Sequence, residues 1–242
     1  MRFTYQSYEM LLGMLKAQGY SFCSYHNWEQ FPRCVILRHD IDNDLSKAVK
    51  LAELEAEKGV QSTWFVLLRT DFYNPASRAS LDKLHSIQSM GHEIGLHFDE
   101  KAYPEGTGEE TVDRILHECE LLSMILGAPV TTVSMHRPSK TTLEADLSIP
   151  GMVNSYGKTF FHDFKYLSDS RRRWREPVLD IVKAGTCDRL HILTHPFWYG
   201  EQEADITTTV GDFIRSASGE RYEQMKDNIT DLSSILDPRC YI

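Results

Sequence analysis

The chain has 242 residues, 41% of them hydrophobic, with a formal net charge of -9. That length and composition suit one domain with a sizeable core. The charge excludes a dedicated nucleic-acid binder, whose phosphate contacts need a basic face. The five cysteines, Cys23, Cys34, Cys119, Cys187 and Cys240, are odd in number and form no C-x-x-C pair, so they read as reduced packing residues of a cytoplasmic protein. No charged region followed by an apolar stretch opens the chain and no run reaches the roughly 20 apolar residues of a membrane span, so no transmembrane segment is expected.

In chain order, Tyr8 to Lys16 reads as a first helix, with Leu11, Leu12, Met14 and Leu15 on its apolar side and Gly19 beyond its end. Cys34-Val35-Ile36-Leu37 suits a strand buried on both faces. Asp44 caps a helix in which Leu45, Ala48, Val49, Ala52 and Ala56 recur at helical spacing up to Gly59. Ser62 to Leu68 predicts a strand, Leu81 to Met90 a helix closed by Gly91, Glu93 to His97 a strand and Thr111 to Leu126 a helix before Gly127. Val130 to Met135, Met152 to Tyr156, Val178 to Val182 and Leu190 to Leu193 complete the expected strands. Glu201 to Leu236 reads as a polar tail with one or two helices.

Strand and helix alternate, which implies parallel strands joined by right-handed crossovers. About seven strands and the absence of a G-x-G-x-x-G loop favour an irregular (β/α)7 barrel, TIM-barrel-like, over an open doubly wound sheet. The expected organisation is a single domain over 1–242, with its core at about 33–199 and the first helix and helical tail appended.

Polar signatures stand at or just after the apolar runs: Arg38-His39-Asp40-Ile41-Asp42, Gly95-Leu96-His97, His136-Arg137-Pro138, Ser168-Asp169-Ser170 and Thr194-His195-Pro196. In a parallel barrel such residues meet at the C-terminal face, where carboxylates and imidazoles together suit metal-assisted hydrolysis. Asp40 and Asp42, two apart on a strand, point to one side about 7 Å apart. Two neighbouring carboxylates either bind a cation or share a proton, unless Asp42 merely helps start the next helix. His97 is a metal-ligand candidate beside Asp42, since zinc-class ions take mixed imidazole and carboxylate ligands. His136 is either the third ligand or a hydrogen-bonding neighbour. Arg137 is expected to hold Asp40 through its two-pronged guanidinium.

His195 is placed to protonate a leaving amine. The aromatics Phe197, Trp198 and Tyr199, with Trp174, form either a sugar platform or plain packing. Arg171, Arg172, Arg173 and Arg175 are either a solvated face or a clamp for an anionic part of a substrate.

The order and spacing of these motifs from about residue 33 to 199 resemble the polysaccharide deacetylases with the NodB-homology domain, carbohydrate esterase family 4. Asp40-Ile41-Asp42 looks like the family's paired-Asp motif, and Gly91-His92-Glu93-Ile94-Gly95-Leu96-His97 like the strand before its metal histidines. Arg137-Pro138 resembles its arginine motif, Asp169 to Trp174 a loosened Asp-Trp groove motif, and Leu193-Thr194-His195 the motif of its acid histidine. The resemblance implies Asp40 as base, Asp42 and His97 as ligands of a divalent metal, zinc above all, Arg137 and Asp169 as orienting residues, and Trp174 in the substrate groove; the aromatic and arginine readings above add Trp198 and Arg173 as substrate contacts.

One departure stands out. The family's second metal histidine falls four residues after the first, where this chain has Lys101, so the third ligand must come from His136 or an acidic neighbour such as Asp99. The Arg-His-Asp-Ile-Asp and His-Arg-Pro phrases look like a branch found among surface-polysaccharide and O-antigen biosynthesis proteins. That branch implies hydrolysis of the acetamide of an amino sugar, nucleotide- or lipid-linked, inside the cell. The alternatives are a metal-independent hydrolase of another C–N bond, such as a cyclic ureide, and a non-catalytic sugar-binding or assembly protein.

Overall fold

The computed structural model describes residues 1–241. The chain divides into two compact units, Met1–Glu201 and a second beginning at Gln202. The first contains, in order, α1 (Tyr5–Ala17), β1 (Ser21–Cys23), β2 (Cys34–Ile41), α2 (Leu45–Glu57), β3 (Thr63–Leu67), α3 (Arg78–Ser89), β4 (Glu93–Asp99) and α4 (Gly108–Leu126). There follow β5 (Thr132–His136), α5 (Lys140–Ala145), β6 (Val153–Asn154), β7 (Lys165–Ser168), α6 (Val178–Ala184) and β8 (Arg189–Thr194).

All pairings among the strands are parallel, in the order β6-β5-β4-β3-β2-β8-β7, with β1 added beside the start of β2. Among the described residues no ladder joins β6 to β7, so the seven-strand path curls into a barrel left open at one seam. This is the irregular (β/α)7 architecture that the alternation of elements implies.

The helices start and stop where local chemistry directs. Asp44 Oδ1 accepts from the amides of Ser46 at 2.7 Å and Lys47 at 3.2 Å, and Gly127 closes α4 with φ 65°, a left-handed conformation that glycine adopts without a Cβ clash. The core lies between the sheet and the outer helices. Leu11, Leu12 and Leu15 of α1, Ala48 and Leu51 of α2, Ile115 and Leu122 of α4 and the strand residues Val35, Leu37 and Val133 are all buried there.

Two expectations are corrected. Val178 to Val182 is a helix rather than a strand: Val178 and Val182, four apart, are both buried while the residues between are less so, and Gly185 ends the turn with φ 61°. A five-residue apolar run fits either period, and the contacts of α6 with α1 decide it. The seventh strand is instead Lys165–Ser168, too short and too polar at its start to announce itself. The second unit consists of α7 (Ile206–Lys226) and α8 (Leu232–Ile235), with the Tyr222 ring stacked on Tyr241 at 5.7 Å.

Candidate active site

The polar signatures meet at the C-terminal ends of the strands, as the barrel rule requires. β2 brings Arg38 and Asp40 to the interior face, and Asp42 follows its last residue. β4 supplies His97, β5 His136, the turn after β7 Asp169 and the residue after β8 His195.

Three ligand atoms converge. His97 Nε2 lies 3.3 Å from Asp42 Oδ1, His136 Nδ1 lies 3.4 Å from the same oxygen, and the two ring nitrogens are 3.1 Å apart. Atoms bound at about 2.1 Å around a tetrahedral ion sit about 3.4 Å from one another, so this triangle has the edge a zinc-class ion needs. Asp42 Oδ1 is buried and has no hydrogen-bond partner, an expensive state for a carboxylate oxygen that a cation resolves. His97 is turned the right way by its other nitrogen, Nδ1, which faces the Ser134 carbonyl at 3.4 Å. The donor set fits a divalent metal, which Asp42, His97 and His136 could hold through one ligand atom each. Asp99 is occupied elsewhere: its Oδ1 accepts from the Lys101 amide at 3.1 Å and its Oδ2 from Arg137 at 2.6 Å.

That last contact corrects the role expected of Arg137. Its side chain is 59% exposed and paired with Asp99, while Asp40 is held by Arg38. Arg38 Nε donates to Asp40 Oδ1 at 2.8 Å and a terminal nitrogen donates to Oδ2 at 2.7 Å. The physical reason is strand geometry, because residues two apart share a face. The same spacing argument that pairs Asp40 with Asp42 includes Arg38, and the sequence reading stopped one step short. The Arg38 guanidinium is fully buried, with its carbon 4.8 Å from the Tyr156 ring centre and 5.3 Å from that of Phe65. Gly95 makes the room: a Cβ there would come within 2.6 Å of the Phe65 ring and 2.9 Å of the Thr132 carbonyl oxygen.

Burial by itself would raise the Asp40 carboxyl, but Arg38, and after it His97, keep it below the usual carboxylate range. Asp42 is driven the same way, His136 and His97 outweighing burial. His97 Nε2 also stands 3.5 Å from Asp40 Oδ2, so the two side chains share one small volume.

Comparison with solved structures finds similar chains. A CE4 family pseudoenzyme from Bacillus anthracis is 14% identical over 75% of this chain, with a TM-score of 0.46, and this chain spans 63% of its length. The chitin deacetylase from the fungal pathogen Colletotrichum lindemuthianum is 15% identical over 77% of this chain and 83% of its own, with a TM-score of 0.46. The peptidoglycan deacetylase from Bacillus subtilis is 15% identical over 80% and 97%, with a TM-score of 0.47. No family model matches the chain, and no curated protein matches it.

Across the site, His195 Nδ1 meets Asp169 Oδ1 at 2.7 Å, and the His195 amide donates to both Asp169 oxygens at 3.1 and 3.2 Å. Tyr199, expected only as one of the aromatic trio at a sugar platform or in plain packing, donates its hydroxyl to Asp169 Oδ2 at 3.1 Å, a role not foreseen. This leaves His195 Nε2 facing the site, 3.9 Å from Asp42 Oδ2. Burial opposes a charge on His195, but Asp169, with Asp42 and Asp40, raises its pKa to about 9. Tyr73 is a second unforeseen contributor: its hydroxyl donates to the Ile41 carbonyl at 2.6 Å and accepts from the Leu67 amide at 3.0 Å, tying the ends of β2 and β3 just before Asp42. Trp174 and Trp198 pack against the core with their indole N–H groups buried and without hydrogen-bond partners. Arg173 is exposed.

Proposed function

We propose that the protein is a metal-dependent deacetylase that hydrolyses the N-acetyl group of an amino sugar. The observation that carries this reading is the triangle of Asp42 Oδ1, His97 Nε2 and His136 Nδ1 with edges of 3.1 to 3.4 Å, set between a charged carboxylate and a charged imidazole. Asp42, His97 and His136 would hold a divalent ion, Zn²⁺ by donor type. When bound, such an ion supplies Lewis-acid chemistry, acidifying water and stabilising negative charge on a carbonyl oxygen.

The chain's own residues supply the proton transfers. Asp40, kept ionised by Arg38, accepts a proton from the attacking water at a carboxylate oxygen. His195, kept doubly protonated by Asp169 at Nδ1, gives its Nε2 proton to the departing amine nitrogen. Asp169 in turn is fixed by Tyr199. Trp174 and Trp198 form the walls against which a sugar ring packs, and Arg173 stands at the rim. The reading extends to a cytoplasmic enzyme of surface-polysaccharide, O-antigen-type, biosynthesis, whose amino-sugar substrate is linked to a nucleotide or a lipid. Supporting it are the polar signatures of the sequence and the finding that no helix among the described residues is long and apolar enough to cross a membrane.

Elemental analysis of protein purified without a histidine tag tests this first. Close to one zinc-class ion per chain is expected, and a His136→Ala variant prepared identically should lose it. Native protein free of metal after purification in zinc-supplemented medium would overturn the reading.

A further inference from the structure

Three arginines at the rim take no part in the chemistry above. Arg171, Arg173 and Arg175 are exposed, and among the described residues their side chains enter no ion pair and no hydrogen bond. Several guanidiniums elsewhere find carboxylates: Arg33 pairs with Asp188, Arg69 with Glu118 and Arg137 with Asp99. A chain with a net charge of -9 has carboxylates to spare, so three like charges left together within five residues are not explained by scarcity.

Their backbone is unusual as well. Arg171 (φ 60°) and Arg172 (φ 55°) are consecutive non-glycine residues in the left-handed region, a conformation costing roughly 1 kcal/mol or more for each. The turn is held in place at both sides. The Arg173 amide donates to the Asp169 carbonyl at 3.1 Å, the Arg175 amide donates to the Ser168 carbonyl at 3.3 Å, and the Arg172 guanidinium lies over the Phe3 ring at 5.0 Å. Arg173 is extended, with φ -144° and ψ 119°, and Trp174 packs inward. The base of this turn is Asp169, the residue that holds His195.

We infer that Arg171, Arg173 and Arg175 form a phosphoryl-binding subsite beside the deacetylase centre, so that the substrate is an amino sugar bearing a phosphate or diphosphate rather than a neutral polymer. The inference rests on the deacetylase reading for its position in the reaction. Its chemistry is that of planar guanidiniums, which pair with phosphate oxygens through two parallel N–H donors. In a 2-acetamido sugar the anomeric carbon adjoins the acetamido carbon, so an anomeric phosphate necessarily lies close to the group being cleaved. The turn that carries these arginines is rooted in Asp169, the residue that holds His195.

Calorimetric titration of the full chain with inorganic pyrophosphate at low ionic strength tests the subsite without turnover. Binding by the wild type, weakened at least about tenfold in the triple variant Arg171→Ala, Arg173→Ala, Arg175→Ala, is the expected result. The corresponding triple lysine variant should bind between the two, since lysine keeps the charge and loses the fork. Equal affinities for wild type and triple alanine variant, or no binding by the wild type, would overturn the inference. All three positions are exposed, and matching melting temperatures confirm that the variants fold. Acetate release measured in parallel from UDP-N-acetylglucosamine and N-acetylglucosamine keeps the two claims apart: no acetate from either counts against deacetylation, while the calorimetry still decides the subsite. Cosedimentation with phosphatidylglycerol vesicles separates the phosphate sources, retention that depends on the arginines favouring a lipid-borne sugar and its absence a nucleotide-borne one.

Discussion

The two faces of β2 carry the same residue types and put them to opposite uses. On the interior face, Arg38, Asp40 and Asp42 meet His97 and His136. On the helix-facing side, His39 meets Glu55 of α2 at 3.0 Å and Thr194 of β8 at 2.7 Å. Glu55 also accepts from the hydroxyls of Tyr8 and Ser62, both at 2.5 Å, and His39 stacks on Trp64 with ring centres 4.0 Å apart. Every polar atom of the Glu55 side chain is thus engaged, whereas Asp42 Oδ1 is buried with no hydrogen-bond partner. The saturated His39–Glu55 pair reads as structural, whereas the oxygen left over on Asp42 marks a place that a cation would satisfy.

Replacements on the two faces should therefore separate stability from chemistry. The largest effect belongs to Asp40→Asn. It is expected to lower kcat for acetate release by about 10² to 10⁴, and also to destabilise the fold by about 3–5 kcal/mol, because the fully buried Arg38 guanidinium loses its counter-charge. Urea denaturation beside kinetics checks both; unchanged stability would mean that Arg38 does not depend on Asp40.

Glu55→Gln should match that stability cost, about 3–5 kcal/mol, with metal content unchanged in the folded protein. Its pH dependence sharpens the point. Burial works to raise the Glu55 carboxyl, but His39, then the nearby His92 and Ser62, bring it below its ordinary 4.5. A lowered folded pKa gives stability that is complete above the unfolded value and disappears as pH falls through the folded one. The difference between wild type and Glu55→Gln should accordingly be full at pH 7 and shrink below about pH 4. A difference that is flat with pH would show that Glu55 is not ionised in the native state.

Asp42→Asn has the smallest effect on folding. In metal-free protein it should cost less than about 2 kcal/mol, since Asp42 faces His97 and His136 at 3.3 and 3.4 Å but its Oδ1 accepts no hydrogen bond. Metal content should nevertheless fall close to zero. A cost as large as that of Glu55→Gln would erase the distinction between the two faces.

The sequence by itself determined the βα alternation, the caps and the positions of Asp40, Asp42, His97, His136, Asp169 and His195 at or just beyond strand ends, because hydrophobic period and local hydrogen bonding act over a few residues. Only the tertiary structure decided which arginine holds Asp40. Arg38 and Arg137 offer the same guanidinium, and the choice between them depends on the direction in which β5 delivers Arg137, toward Asp99. Tertiary packing likewise made Val178–Ala184 a helix and Lys165–Ser168 a strand, since short segments have no decisive period of their own and take the form their neighbours bury best. Tyr73 and Tyr199, which fix the ends of β2 and the orientation of Asp169, lie 31 residues beyond Asp42 and 30 beyond Asp169 in the chain. Nothing in local patterning links residues so far apart; the barrel's closure around them does.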